Sequence, residues 1–290
     1  MANLKEVRTR IASVSSTQQI TSAMKMVSAA KFRRAQNAII GMRPYAAQLN
    51  EIIADIDTGD GVMTPYHAVR PVQTVLLVVV TSNKGLCGAF NSNVLKLAQQ
   101  RIDYWRGEKA SIQLICIGKK ASEMLSRQKD LKVSSYDELL DSPSFDAIAT
   151  LADTLLGDFA DKAIDRVEMV YNQFKNSLSQ VLSCEQFLPV EPRKADTAKE
   201  ARKNNDYIFE PSKEEILREM IPLTLRSTFY RVVLDSLAAE HGARMTAMQK
   251  ATDNATELLK DLRLSYNKAR QASITNEIIE IVSGSEALKG

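Results

Sequence analysis

The stretch whose residue types come nearest to chemistry is Thr81–Asn91, TSNKGLCGAFN. It lies between a strand-like run and a helical one, and glycines in such a place can bring backbone amides around a phosphate. The spacing is neither GxGxxG nor GxxxxGK followed by Ser or Thr, because Lys84 precedes the glycines. A tight strand-to-helix turn is the better reading; a nucleotide-binding regulator acting through this segment is the alternative. The remaining candidates are thinner. His67 and His241 stand far apart in sequence, whereas a zinc site or a Ser/His/Asp triad needs convergent partners. Asp137 and Glu138 fall in an expected loop, where a solvated pair is the ordinary outcome. Cys87, Cys116 and Cys184 are odd in number, lack CxxC spacing, and each falls in or beside an expected strand. Buried reduced thiols are expected, not a disulfide or metal framework. No catalytic residue, metal site or cofactor is expected in this chain.

The elements that would position such residues form an α/β layer. Val75–Val80 (VLLVVV) reads as a strand buried on both faces of a parallel sheet. Asn91–Trp105 reads as a helix, Ser111–Ile117 as a second buried strand closed by Gly118, and the residues up to Ser126 as a short helix. Ser144–Asp161 is helical, Arg166–Phe174 is a third strand, and Val181–Val190 a fourth, antiparallel to it across a turn near Asn176. That order predicts a Rossmann-like α/β insert over residues 74–192.

On both sides of the insert the sequence changes kind. Met1–Ile40 has no glycine or proline, and Leu4, Val7, Ile11 and Val14 recur at steps of three and four. Ile20, Met24 and Val27 resume the stripe after a phase shift through Ser15–Thr17. This helix is expected to pass Gly41 and Pro44, bent there, to about Asp55, giving a first segment over residues 1–57. Residues 192–205 carry charge without an apolar pattern and read as a loop. Ser212 with Glu215 forms a capping box, and Pro222 is expected to bend or interrupt the helix that follows. Leu223–Ser283 then contains one glycine, Gly242, and no proline, a run of about 60 residues that spans on the order of 90 Å as a helix. From Met248 the residues Thr252, Ala255, Leu259, Leu262, Tyr266, Ala269, Ser273 and Asn276 follow at alternating steps of four and three. That is the 3.5-residue seam of a left-handed supercoil. Its natural partner is the N-terminal helix, so the fold expected is a long antiparallel coiled coil, residues 1–57 against 207–286, around the α/β insert.

Composition narrows the function classes. A hydrophobic content of 44% with 25% charged residues suits an ordinary soluble protein, and a net charge of +3 makes no case for nucleic acid. No apolar run reaches about 18 residues, so no membrane span is expected, and the N-terminus lacks the apolar core of a signal peptide. The distribution of charge is uneven. Between Ala2 and Asn50 stand Lys5, Arg8, Arg10, Lys25, Lys31, Arg33, Arg34 and Arg43 against Glu6 alone, so that end should prefer an acidic partner. Around Arg270–Asn276 polar faces surround thin apolar ones, which suits a tip that touches a surrounding partner without adhering to it.

Four segments carry a resemblance: ITSAMKMVSAAK (20–31), SNKGLCGAFN (82–91), ARMTAMQKATDNA (243–255) and YNKARQASITNEI (266–278). With them the chain resembles, over almost its whole length, the γ subunit of bacterial F-type ATP synthase. The resemblance implies a rotor shaft inside an α3β3 ring, turned by proton flow through a membrane c ring, with the ATP chemistry on the partner subunits. It places Met24, Lys25 and Arg244 where the shaft meets the β lever segments, and Gln271, Thr275 and Glu277 in an upper bearing. It likens Tyr207, Phe209 and Glu210 to a foot that contacts the c ring and the ε subunit. It further implies a peripheral place on the cytoplasmic face of the bacterial inner membrane, and no regulatory cysteine insertion is present in the sequence.

Overall fold

The computed structural model describes residues 4–56, 64–128, 130–176, 179–190, 210 and 212–287. Its elements are α1 (Leu4–Ile56), β1 (Thr74–Val80), α2 (Phe90–Gly107), β2 (Ser111–Ile117), α3 (Lys119–Leu125), β3 (Lys132–Ser135), α4 (Phe145–Ala160), β4 (Arg166–Phe174), β5 (Gln180–Leu188) and α5 (Lys213–Ala287). By internal contacts the chain divides into two units, residues 29–243 and residues 1–28 with 244–290.

The larger unit is built on a five-stranded sheet in the order β3-β2-β1-β4-β5. β1 pairs in parallel with β2 and β4, β2 in parallel with β3, and β5 runs antiparallel along β4. This is the Rossmann-like layer expected, with one strand that the sequence did not announce. β3 (KVSS) is short and mostly polar, so it carries no apolar signal; it is a strand because β2 offers it an edge. The central strands alternate between two cores. Val75, Leu77, Val79 and Val170 face α2 and α3 through Val94, Ala98, Ile102 and Leu125. Leu76, Val78, Val80, Val167 and Met169 face the opposite way, onto Ile148, Leu151, Leu155 and Phe159 of α4.

The second helix over that face is the base of α5 itself. Leu217, Ile221, Leu225, Phe229, Val232, Val233 and Leu237 are buried in the same core. Burying one such side chain contributes about 1.5–3 kcal/mol, and several together outweigh the roughly 3 kcal/mol that a proline costs inside a helix. Pro222, expected to bend or interrupt the helix, accordingly lies within one helix of 75 residues and does not interrupt it. Ser212 caps its start, its Oγ accepting from the Glu215 amide at 3.2 Å. α1 likewise runs through Pro44. In this unit it buries Phe32 and Ile39 against Phe174, Leu234 and Ala238, with the Phe32 and Phe174 rings edge-on at 5.5 Å.

The smaller unit is a two-helix seam. Gln18 Nε2 donates to Thr256 Oγ1 at 2.7 Å and Thr252 Oγ1 to Thr21 Oγ1 at 2.9 Å. Rising numbers on α1 meet falling numbers on α5, so the pair is antiparallel. On α5 the expected seam holds: Met248, Ala255 and Leu259 are buried, and Thr252, Leu262, Tyr266, Ala269 and Ser273 are half-buried. Asn276 is exposed. On α1 the expected phase shift does not occur. Leu4, Val7, Ile11 and Val14 are followed inward by Gln18, Thr21 and Ser28, while Ile20 and Val27 are 57% and 58% exposed. Small and hydroxyl side chains at the contact let the two backbones approach; Ser28 donates its hydroxyl to the Met24 carbonyl, and Thr252 Oγ1 lies 2.8 Å from the Met248 carbonyl as well as beside Thr21.

One glycine in the larger unit is dictated by space. Gly118 has φ +111°, and a Cβ there would lie 2.6 Å from the Thr81 carbonyl oxygen. Gly118→Ala is expected to destabilise the protein by about 2–4 kcal/mol. Urea unfolding followed through Trp105, the single tryptophan, measures it; an unchanged midpoint would show that the turn relaxes freely.

Candidate functional site

The Thr81–Asn91 turn leaves the carboxyl end of β1, where ligands sit in open α/β sheets. Here the turn is occupied by its own side chains. Asn91 Oδ1 accepts from the Ser82 amide at 3.0 Å and from Ser82 Oγ at 3.1 Å, and Ser82 Oγ also lies 2.7 Å from the Lys84 carbonyl. Asn91 Nδ2 reaches Cys87 Sγ at 3.2 Å. The start of α3, next to it, is capped from the same loop: Thr81 Oγ1 accepts the Ala121 amide and Asn83 Oδ1 the Lys119 amide. These amides, which could hold a phosphate, are already bonded. Leu86 and Gly88 take positive φ of 63° and 61° to close the turn, and Cys87 and Phe90 pack on Ala239 of α5. The segment is a brace between sheet and helix.

The densest polar cluster lies elsewhere, and no sequence motif pointed to it. Glu168 of β4, 1% exposed, accepts from Arg101 Nε and Nη2 at 2.8 and 2.7 Å, from Arg166 Nε at 2.8 Å and from Trp105 Nε1 at 3.3 Å. Burial pushes its carboxyl up, but the hydrogen bonds from Arg101, Arg166 and Trp105 outweigh that and hold it below the usual carboxylate range. A carboxylate so fully bonded is neither an available base nor a ligand; it ties α2 to β4. Among the described residues no three His, Cys, Asp or Glu converge to hold a metal ion. His67 bonds Thr64 Oγ1 through Nδ1 at 2.9 Å. Cys87 and Cys116 are buried, and burial pushes the Cys116 thiol up to about 12. Cys184, expected to be buried too, is exposed, because β5 is the sheet's edge and has no neighbour on its outer side.

The residues singled out by resemblance lie on the two long helices or just before α5. Met24 and Lys25 are half-buried on α1, and Arg244 is 8% exposed on α5. Gln271, Thr275 and Glu277 are exposed, with Thr275 Oγ1 donating to the Gln271 carbonyl at 2.9 Å. Glu210 is exposed; Tyr207 and Phe209 lie outside the described residues. Sequence reasoning missed the outward apolar residues Ile20, Met26 and Val27 on α1 and Ile274, Ile278, Ile281 and Val282 on α5, all exposed. The signal was available: continuing the three-and-four steps of Leu4–Val14 without a shift turns Ile20 and Val27 outward.

In the smaller unit the two long terminal helices pair with each other, and in the larger unit both bury apolar residues against the α/β layer. The profile of the family described as ATP synthase matches residues 3–288. The chain is 52% identical to the ATP synthase gamma chain of Flavobacterium johnsoniae over all of both chains, and 49% identical to that of Cytophaga hutchinsonii over 99% of each. Among solved structures it resembles a chain from the central stalk and c-ring of Tetrahymena thermophila mitochondrial ATP synthase. The TM-score is 0.58 at 28% identity, over 80% of this chain and 99% of that one. A chain of the Euglena gracilis mitochondrial enzyme gives a TM-score of 0.70 at 22% identity, over 98% and 94% of the two chains, and speaks for the fold. The chain belongs to the ATP synthase gamma chain family.

The Glu168 network has a pH signature. A carboxyl held low contributes stability that is present above its unfolded pKa, about 4.3, and is lost as pH falls through the lower folded value. Glu168→Gln is expected to cost about 3–5 kcal/mol at pH 7, since two guanidinium groups lose their counter-charge, and to flatten the loss of stability below about pH 4. Denaturant titrations from pH 3 to 7 decide it; parallel curves for both proteins would mean that Glu168 carries no such linkage.

Proposed function

We propose that this chain is the central rotary shaft of an F-type ATP synthase, coupling proton flow through a membrane c ring to ATP synthesis, and the reverse, at sites on the β subunits of an α3β3 ring. The observation that carries this reading is full-length identity of about half to bacterial gamma chains, joined to paired terminal helices with apolar residues on their outer surface. The chain contributes no catalytic group: its work is to present different faces to the β subunits in turn. Equal affinity for every β conformation would shift nothing, so the contacts must differ as the shaft turns.

The surface supports such contacts. The N-terminal half of α1 is basic and suits an acidic lever on β. Met24, Lys25 and Arg244 are the residues assigned to that contact, with the exposed Ile20, Met26 and Val27 beside them on α1. Exposed ion pairs are worth only about 0–1 kcal/mol each, so several must act together. Gln271, Thr275 and Glu277 form the bearing contact near the C-terminus. Tyr207, Phe209 and Glu210 form the foot toward the c ring and ε. In this reading residues 1–57 and 207–286 are the shaft and 74–192 the base, without a nucleic-acid partner. Among the described residues no helix is long and apolar enough to cross a membrane. In this reading the subunit is held at the cytoplasmic face of the inner membrane through its complex.

Reconstitution with α and β subunits tests the reading: a stable complex whose ATP hydrolysis depends on this chain is expected, and failure to assemble would overturn it. Within that complex, Met24→Lys adds a second ammonium beside Lys25. It should lower ATP-driven proton pumping more than hydrolysis or assembly; normal pumping would remove Met24 from the contact. Deleting 273–290 should weaken coupling while leaving the larger unit folded, measured as retained Trp105 fluorescence.

A further inference from the structure

The apolar contact between α5 and the sheet is non-directional. It resists separation of helix and sheet far better than a turn of the helix about its own axis. One polar assembly at the same contact has direction. Arg231 of α5 donates through Nη2 to Glu185 Oε2 of β5 at 3.0 Å, and through Nη1 to Tyr171 OH of β4 at 3.4 Å and to Asp235 Oδ2, one turn along α5, at 3.3 Å. Tyr171 OH donates in turn to Glu185 Oε1 at 2.6 Å. Tyr171 is fully buried and the Asp235 side chain is 4% exposed. Another ion pair from this part of α5, Arg226 with Asp153, is exposed on both sides and so contributes little.

A guanidinium fork is planar and its donors point in fixed directions. One residue of slip turns a helix by about 100°, which would carry Arg231 away from both strands. The Arg231 and Glu185 side chains are 27% and 35% exposed, and neither exposed nor buried ion pairs add much net stability; setting one register among several apolar alternatives is what such a network can do. We propose that Arg231 is a positioning residue that sets the rotational phase and register of α5 in the α/β core, through Tyr171 and Glu185. The functional half rests on the rotor reading above: a shaft driven through its base delivers torque at a defined angle only if its root holds a single phase.

The test has two arms. In a Cys184→Ser background of the full chain, spin labels on Glu219→Cys in α5 and Lys175→Cys just past β4 report the distance between helix and sheet. Arg231→Met keeps the apolar stem and removes the fork; its distance distribution is expected to shift or split, with Arg231→Lys moving less. An unchanged distribution overturns the proposal. Should Arg231→Met fail to fold, Tyr171→Phe, which deletes one hydroxyl, is read the same way. In vesicles carrying the whole reconstituted complex, Arg231→Met is expected to lower protons pumped per ATP hydrolysed by roughly two-fold or more. Simple loss of stability would instead reduce the amount of complex and both rates together, and an unchanged ratio overturns the functional half. A wild-type chain that does not assemble sinks the rotor reading and leaves the distance measurement standing.

Discussion

Leu217, Ile221, Leu225, Phe229 and Val233 of α5 lie in one core with Leu76, Val78, Val80, Val167 and Met169 of the sheet, and the rest of the structure depends on that contact. It makes the base of a very long helix one of the two helices that cover one face of the sheet. The helix is therefore no appendage to an α/β domain; without it an apolar face of the sheet would lie open to water. Long isolated helices are marginal in water. This one is anchored by tertiary burial through its first seven or so turns, and Pro222 is tolerated because the packing around it outweighs the lost backbone bond.

Where α5 pairs with α1 in the smaller unit, the balance is reversed. Beside the apolar Val7, Met248 and Leu259, part of the inward face is small or polar, Gln18, Thr21, Ser28, Thr252 and Ala255, and several large apolar residues point outward. Polar layers in a coiled coil cost stability and define register, and the Thr21–Thr252 and Gln18–Thr256 hydrogen bonds do the second of these. The outward Ile20, Met26 and Val27 would be a liability on a free surface and are an asset for a shaft enclosed by partners. The same side chains thus weaken the isolated pair and suit the assembled one.

The turn after β1 shows how an α/β fold can keep a ligand-binding place and leave it unused. The position at the carboxyl end of a central strand is the one that nucleotide-binding relatives of this architecture exploit. Here Asn91, Asn83 and Thr81 occupy the amides, and Phe90 and Cys87 are directed onto α5. Geometry that elsewhere cradles phosphate here braces a shaft.

Much of this was legible in the residues themselves. β1, β2 and β4 were plain because strands buried on both faces must be continuously apolar, and β2 and β4 begin and end where the sequence places them. The α5 seam from Met248 to Ser273 was plain because a 3.5-residue repeat has one geometric solution. The family was legible because four segments on both helices and the turn carry it together. Other features were decided only by the tertiary structure. β3 exists because β2 has a free edge, and Cys184 is exposed because β5 is the last strand. The inward face of α1 follows the unshifted stripe of Leu4–Val14, which the sequence offered beside a more apolar alternative; the close approach of two backbones decides between them, so Thr21 and Ser28 go in and Ile20 and Val27 stay out, against hydrophobicity. Neither the Glu168 nor the Arg231 network is local in sequence: the first joins α2 to β4 and the second α5 to β4 and β5, elements that meet only after folding. Sequence specifies what a segment prefers by itself; which of its faces is buried, and which charges meet, depends on neighbours that only the folded chain supplies.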